Sequence, residues 1–300
     1  MLSTRCRLFK RDHVNPNPAS LLGDIAVIDL EGPDAESFAQ SQTMNDVFAL
    51  DAGQWHWNGW LCPKGRVQAL FALLRLAPGQ LRLLLFDTEP AAFVTGLSRY
   101  LLRSKARLHH RSELRAFGEF GGTGEGTERN GGRDHLLADP AGHGVLDLTA
   151  EGGARRLRIL PGDGPPDPVA TARWREADLR HGLPRWSPGR EHAWTPHMLS
   201  LQRLKAFSVK KGCYPGQEIV ARTHFLGQAK RQAWWVDGQG LAEGGRLSDG
   251  DGRDLAEVVG ATADGRGALV VGLLDEALQA FADGHPLRVR RPLAGLARPV

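Results

Sequence analysis

Lys210-Lys211-Gly212-Cys213-Tyr214-Pro215-Gly216-Gln217-Glu218-Ile219-Val220-Ala221-Arg222 sets the frame for the rest of this chain. Pro215 and Gly216 suit the second and third positions of a type II turn, because proline presets φ and glycine tolerates φ > 0. The run after the turn reads as the start of a helix. Glu218 there complements the positive end of the helix dipole, and Arg222 is its i,i+4 partner. A thiol at Cys213, beside a helix start and two ammonium groups, is expected to ionise below the free-cysteine value of about 8.5. A small buried cysteine beside an ordinary turn fits the same residues, since reactivity needs exposure as well as a positive setting.

Charge supports the first of these readings. Between Gln202 and Gln232 there are seven cationic residues and one acid, Glu218, a local excess of six in a chain whose net charge is +4. The remainder therefore nets −2. Such a cluster is usually a solvated basic face; here it surrounds the cysteine, which points to an anionic ligand or partner.

With 300 residues and 41% hydrophobic content, the chain can bury a sizeable core in two or three structural units. No apolar run reaches the roughly 18 residues that span a bilayer, so no membrane partner is expected. Met1 to Val14 has four basic residues but no apolar core, which argues against a secretory signal. The three cysteines, Cys6, Cys62 and Cys213, are widely spaced and odd in number. That argues against a disulfide framework or a Cys-x-x-Cys zinc site and fits a reducing cytoplasm.

Leu21–Leu30 reads as a buried strand closed by Gly32-Pro33, with Pro33 opening a helix over Asp34–Gln42. Trp55–Leu61, Val67–Leu76 and Leu81–Phe86 read as strands, and Ala91–Arg103 and Val169–Leu179 as helices. Gly118–Gly132 reads as a flexible surface loop without the Gly-Lys-Ser/Thr ending of a phosphate loop. Beyond the cysteine, Lys230–Val236, Leu255–Ala263, Gly267–Leu273 and Leu287–Arg291 read as strands, with a short helix at Asp275–Ala282. Strands mixed with single helices, without βαβ alternation, indicate an α+β fold. The division expected is a region over 1–226, in two subdomains, and a C-terminal unit over 227–300.

His181, His192 and His197 precede the cysteine without the spacing of a dedicated metal site and read as surface or hydrogen-bonding groups. A Cys213/His224 nucleophile pair lacks an identified orienting group. Trp174, ahead of the Gly182-Leu183-Pro184 break, reads either as core or as the floor of a pocket for a flat ring. Aromatic residues near a basic region suggest nucleic acid, but no RNA-binding motif appears, so direct tRNA binding stays a minor reading.

The motif Lys211-Gly212-Cys213-Tyr214-x-Gly216-Gln217-Glu218, followed by Val220-Ala221-Arg222, resembles the signature of the folate-binding YgfZ family, relatives of the glycine-cleavage T-protein, an aminomethyltransferase. Ser41-Gln42-Thr43-Met44-Asn45-Asp46-Val47 resembles the family's Gly-Gln-x-Thr-x-Asp-Val segment, with Ser41 in place of glycine. Pro63-Lys64-Gly65-Arg66 resembles its Lys-Gly step before a strand, and Thr195–Leu201 the segment ahead of the cysteine, with Ser200 where asparagine is typical. The middle, about residues 105 to 165, carries no such feature. The resemblance implies ferredoxin-like α+β subdomains around a central folate-binding cavity and a small C-terminal β-barrel. It also implies a tetrahydrofolate-type cofactor and a role in maintaining iron-sulfur enzymes, including ones that modify tRNA. Cys213 would act by transient cluster ligation shared with an iron-sulfur carrier or client protein, or by redox exchange. Of two tryptophans associated with folate in the family, one matches Trp174 and the other falls near Ile25. The alternative is folate-dependent aminomethyl transfer; T-proteins carry an aspartate pair where this chain reads Gln68-Ala69-Leu70, so that group is missing.

Overall fold

The computed structural model describes residues 19–121, 136–138, 144–187, 189–190, 193–227 and 229–298. Cys6, His192, the N-terminal segment and most of the expected Gly-rich loop lie outside them. Gly118, expected to open that loop, is instead inside a strand.

The first half is built by β1 (Ser20–Leu21), β2 (Ile25–Glu31), α1 (Ala35–Gln42), β3 (Trp55–Leu61), β4 (Val67–Ala77), β5 (Gln80–Phe86), α2 (Pro90–Ser98), β6 (Arg107–His110) and β7 (Leu114–Phe120). β8 (Leu137–Ala138), β9 (Gly144–Asp147), β10 (Arg155–Pro161), α3 (Pro168–Arg180) and α4 (Gln217–Leu226) follow. The tail contains β11 (Gln232–Asp237), β12 (Arg246–Ser248), β13 (Asp254–Ala261), β14 (Gly267–Gly272), β15 (Ala280–Ala282) and β16 (His285–Arg290). One five-stranded sheet runs β3-β4-β5-β2-β6, a second runs β1-β7-β10-β9-β8, and β11-β14-β13-β12-β15-β16 close into a barrel. The strand pairs are antiparallel, as an α+β fold requires.

Alternation along the strands of the first sheet separates two cores. Ile28, Leu30, Phe71, Leu73, Leu83 and Leu85 face α1 and α2, where Phe38, Phe93 and Leu97 meet them. On the opposite face Val27, Trp57, Leu70, Ala72 and Phe86 share a central core with Leu157 and Ile159 of the second sheet and with Trp174 of α3. The barrel has its own core, and Leu179 of α3 packs with Trp235 and Leu269 to fasten it to the body.

Three local expectations change. Asp34 stands at the N-cap of α1 rather than inside the helix, so the helix opens one residue later, at Ala35. No helix forms over Asp275–Ala282; Asp275 caps a turn, and Ala280–Ala282 is β15, pairing with β16 and bridging to β12. Closing the barrel there satisfies backbone groups that an isolated helical turn would leave open. The middle, expected to carry no feature, supplies β6 at the edge of the first sheet and, with β7 to β10, most of the second sheet. In β10 the inward Leu157 and Ile159 alternate with Arg156 and Arg158, which dilutes the apolar signal of that strand.

Candidate functional site

The four stretches named above, distant in sequence, come together around Cys213. Pro215 and Gly216 form the expected turn: Gly216 has φ 79° and ψ 2°, and Gln217 N donates to Tyr214 O at 3.2 Å. The Gln217 side chain reaches back to Lys211 O at 3.4 Å and ties the two ends of the loop together. Gly212 and Cys213 lie exposed at its tip. Tyr214 is buried beneath, its hydroxyl donating to Ser208 O at 3.4 Å. Burial holds its phenol protonated well above the usual range.

Lys211 does not sit beside the thiol as a second surface cation. It is 6% exposed, and its Nζ donates to Gln40 O and Thr43 O, each at 2.5 Å, and to Asn45 O at 3.0 Å. Those carbonyls end α1 and continue into the Ser41–Val47 segment, so the lysine clamps one resemblance-bearing stretch to another. Burial pushes its ammonium down to about 7. Its neighbours are polar and bonded to one another: Asn58 Oδ1 accepts from Asn45 N at 2.9 Å, Asn58 Nδ2 donates to Thr43 Oγ1 at 3.0 Å, and Asn45 Nδ2 donates to Trp57 O and Lys205 O. His56, fully buried next to Asn58, is pushed down to about 3 by burial, with Lys211 adding to the effect.

The Cys62–Gly65 turn forms the other support. Gly65 N donates to Cys62 O at 2.8 Å, and the turn packs on Gly216 and on Ile219 of α4. Arg66 Nη1 then donates to Ala193 O at 2.5 Å, and Val67 N to Trp194 O at 2.9 Å, which draws in the Thr195–Leu201 segment. Ser200, in the left-handed region at φ 53°, accepts from Ala233 N at 3.0 Å and so fixes the first barrel strand. Asparagine tolerates that conformation better than serine does.

Of the predicted site residues, Lys211, Gly212, Cys213, Tyr214, Gly216 and Gln217 are thus one loop. Glu218 and Arg222 are exposed on α4 and, contrary to the expected i,i+4 pairing, no ion pair joins them among the described residues. The helix begins at Gln217, so Cys213 precedes its N-cap Gly216 rather than lying in the first turn. Arranged this way, the loop presents one thiol to solvent on a backbone held from below. Such a group can exchange with a disulfide or add one ligand to a metal centre on another molecule.

Trp174 does not floor a pocket. It is 0% exposed, with Phe120 at 5.3 Å edge-on and the Arg155 guanidinium 4.9 Å from its ring centre. Gly118 backs its ring so closely that a Cβ there would stand 2.7 Å away. A ligand ring has no face left to stack on. His181 is likewise structural, packed at the end of α3 with its Nδ1 2.6 Å from Ala177 O.

A cavity of about 870 Å³ lies instead where the first sheet, β7, α3 and the barrel meet, lined among others by Asp24, Asp87, Arg115, Arg175, Trp186 and Glu243. One wall is an ion network with no local sequence signal. Arg185, 0% exposed, donates to Asp87 Oδ2 at 2.7 Å, to Asp178 Oδ2 at 2.6 Å and to Asp24, and Arg175 pairs with Asp87. Burial raises the Asp24 carboxyl, with Arg185 opposing. A second cavity of about 690 Å³, lined by Trp60, Cys62, Gln68, Ala69 and Tyr100 among others, lies between the β3–β4 edge and α2. No helix among the described residues is long and apolar enough to cross a membrane.

No protein-family profile matches the chain. An uncharacterized protein of Haemophilus influenzae is 30% identical over 206 residues, 68% of each chain. The tRNA-modifying protein YgfZ of Cronobacter sakazakii is 27% identical over 238 residues, covering 73% of this chain and 70% of that one, and its Edwardsiella ictaluri counterpart is 28% identical over 235 residues, covering 72% and 70%. Among solved structures, aminomethyltransferase T of the glycine cleavage system from Bartonella henselae superposes with a TM-score of 0.64 at 16% identity, over 91% of this chain and 83% of that one. The convergence of the four stretches on the Cys213 loop, the C-terminal barrel and these likenesses together show that this chain belongs to the YgfZ family and has the aminomethyltransferase T-like fold.

Proposed function

We propose that this protein is a folate-binding accessory factor that supports assembly or repair of iron-sulfur enzymes, tRNA-modifying ones among them, with Cys213 as its working group. The observation that carries this reading is the exposed thiol at the tip of a loop anchored by the buried Lys211 and by the Gly216 turn. One thiol cannot complete the four-cysteine ligand set of a common cluster, so the remaining ligands come from a carrier or client protein; thiol–disulfide exchange with such a partner is the other route open to it. The relatives named as tRNA-modifying support the choice of client.

Tetrahydrofolate or a derivative is assigned to the junction cavity, whose size suits a small-molecule cofactor. Arg115 and Arg175 there are suited to the carboxylates of a glutamyl tail, and Trp186 and Asp24 to a flat ring bearing N–H donors. Aminomethyl transfer has less support, because the stretch matching the T-protein aspartates reads Gln68-Ala69-Leu70, with no carboxylate. Two measurements test the proposal. Tetrahydrofolate is expected to change tryptophan fluorescence saturably, with Arg115→Glu weakening binding. Methylene-tetrahydrofolate with a lipoyl-carrier substrate is expected to show no turnover. Turnover would favour the transferase, and absence of folate binding would reject the cofactor assignment.

A further inference from the structure

His197 is the least explained polar side chain in the described residues. It is 7% exposed, and both ring nitrogens are buried with no hydrogen-bond partner. Native folds seldom leave both nitrogens of a buried imidazole unpaired, and an ion or ordered solvent is the usual resolution. Phe207 packs on the ring at 4.8 Å, and the one other titratable ring beside it among the described residues is His224 of α4, exposed, with its ring centre 6.1 Å away and its plane inclined by 45°.

That separation has chemical meaning. An imidazole nitrogen binds a late first-row ion at about 2.0–2.1 Å, which puts each ring centre roughly 3.2 Å from the ion, so two imidazoles sharing one ion have centres roughly 5.2 Å apart at the tetrahedral angle and roughly 6.4 Å apart on opposite sides of it. The 6.1 Å here matches the second, near-trans arrangement of tetragonal nickel and copper sites. We propose that His197 and His224 form a binding site for a late first-row divalent metal ion, with solvent in the remaining positions. Imidazole pairs suit zinc, nickel, copper and cobalt better than the hard cations. The ion would fasten the Thr195–Leu201 segment to the last turn of α4, on the same helix that opens behind the Cys213 loop but at its other end. The only three-residue ligand group among the described residues, Asp29, Glu31 and His109, is a poorer candidate, because Asp29 is already neutralised by Arg82 and Arg111. The site is independent of the role proposed for Cys213.

Cobalt(II) is a suitable probe, added to the full, tag-free chain with its thiols alkylated so that sulfur ligation cannot contribute. We expect saturable binding of one ion per chain, a visible d–d band without thiolate charge transfer, and a rise in thermal midpoint with metal concentration. His224→Gln, at an exposed position, should leave the fold intact, weaken binding at least tenfold and abolish that rise. His197→Gln should do the same to binding. Unchanged affinity in His224→Gln, or no saturable binding below roughly millimolar cobalt, would overturn the proposal.

Discussion

Gly216 and Gly65 meet backbone to backbone: a Cβ on Gly216 would stand 2.7 Å from Gly65 Cα and 2.6 Å from Cys62 O. Both glycines also have positive φ, 79° and 69°. The contact seats the cysteine loop on the β3–β4 turn, and neither partner can move aside because both are main chain.

Gly216→Ala is therefore expected to destabilise the protein by roughly 2–4 kcal/mol, combining left-handed strain with the backbone clash. Gly212 is the control within the same motif. Nothing lies within 4 Å of the Cβ that Gly212→Ala would add, and its cost should stay within about 0.5 kcal/mol. Urea denaturation of the two variants separates packing from motif membership. Equal stability losses would show that the Gly65–Gly216 contact is not what constrains the loop.

Cys213 is exposed and Cys62 half-buried. Iodoacetamide near neutral pH should label Cys213 first in the folded chain, as peptide mass spectrometry would show. Cys213→Ser should fold with a stability change within about 0.5 kcal/mol, since its side chain fills no interior space. In cells lacking the native protein it should nevertheless fail to restore iron-sulfur-dependent tRNA modification. Full rescue would leave folate binding, not the thiol, as the active principle.

Trp174→Ala should behave as a core truncation. Loss of a fully buried indole costs about 3–5 kcal/mol, so the urea midpoint should drop sharply. A stable Trp174→Ala protein that had lost only folate affinity would restore the stacking assignment.

Acid sensitivity should pass through His56. Folding holds its pKa at about 3, against the ordinary imidazole value of about 6.5, so the unfolded chain takes up a proton first as pH falls. The stabilising contribution of the neutral ring is complete above about 6.5 and is lost progressively down to about 3, by at most about 1.4 kcal/mol per pH unit. Urea denaturation between pH 7 and pH 5 should show falling stability, with a shallower slope in His56→Gln. An identical slope would place the acid sensitivity elsewhere.

Much of the fold was legible wherever a local pattern was strong. The Pro215-Gly216 turn, β2 to β5 of the first sheet, α3 and most barrel strands match what their residues predict, whereas β6 was not legible. β10 and its neighbours were not legible, because inward Leu157 and Ile159 alternate with outward arginines and the strands only become apolar on one side once paired. The Asp275–Ala282 helix failed for a related reason: Ala280 and Ala282 are buried by barrel closure, which a window of eight residues does not contain.

The candidate site divides along the same line. Sequence alone determined that Cys213 sits at a turn before a helix, that the turn needs Pro215 and Gly216, and that cations cluster around it, since each of these depends on neighbours in the chain. Only the tertiary structure decided that Lys211 points inward rather than toward the thiol, because its acceptors are carbonyls 166 to 171 residues away. The same holds for Trp174, a candidate ring platform by position and a core residue by packing against β7, and for Arg185, whose three aspartate partners come from separate elements. A side chain's direction is set by which acceptors and which free volume the folded chain places around it. For Lys211, Trp174 and Arg185, most of those lie far along the chain.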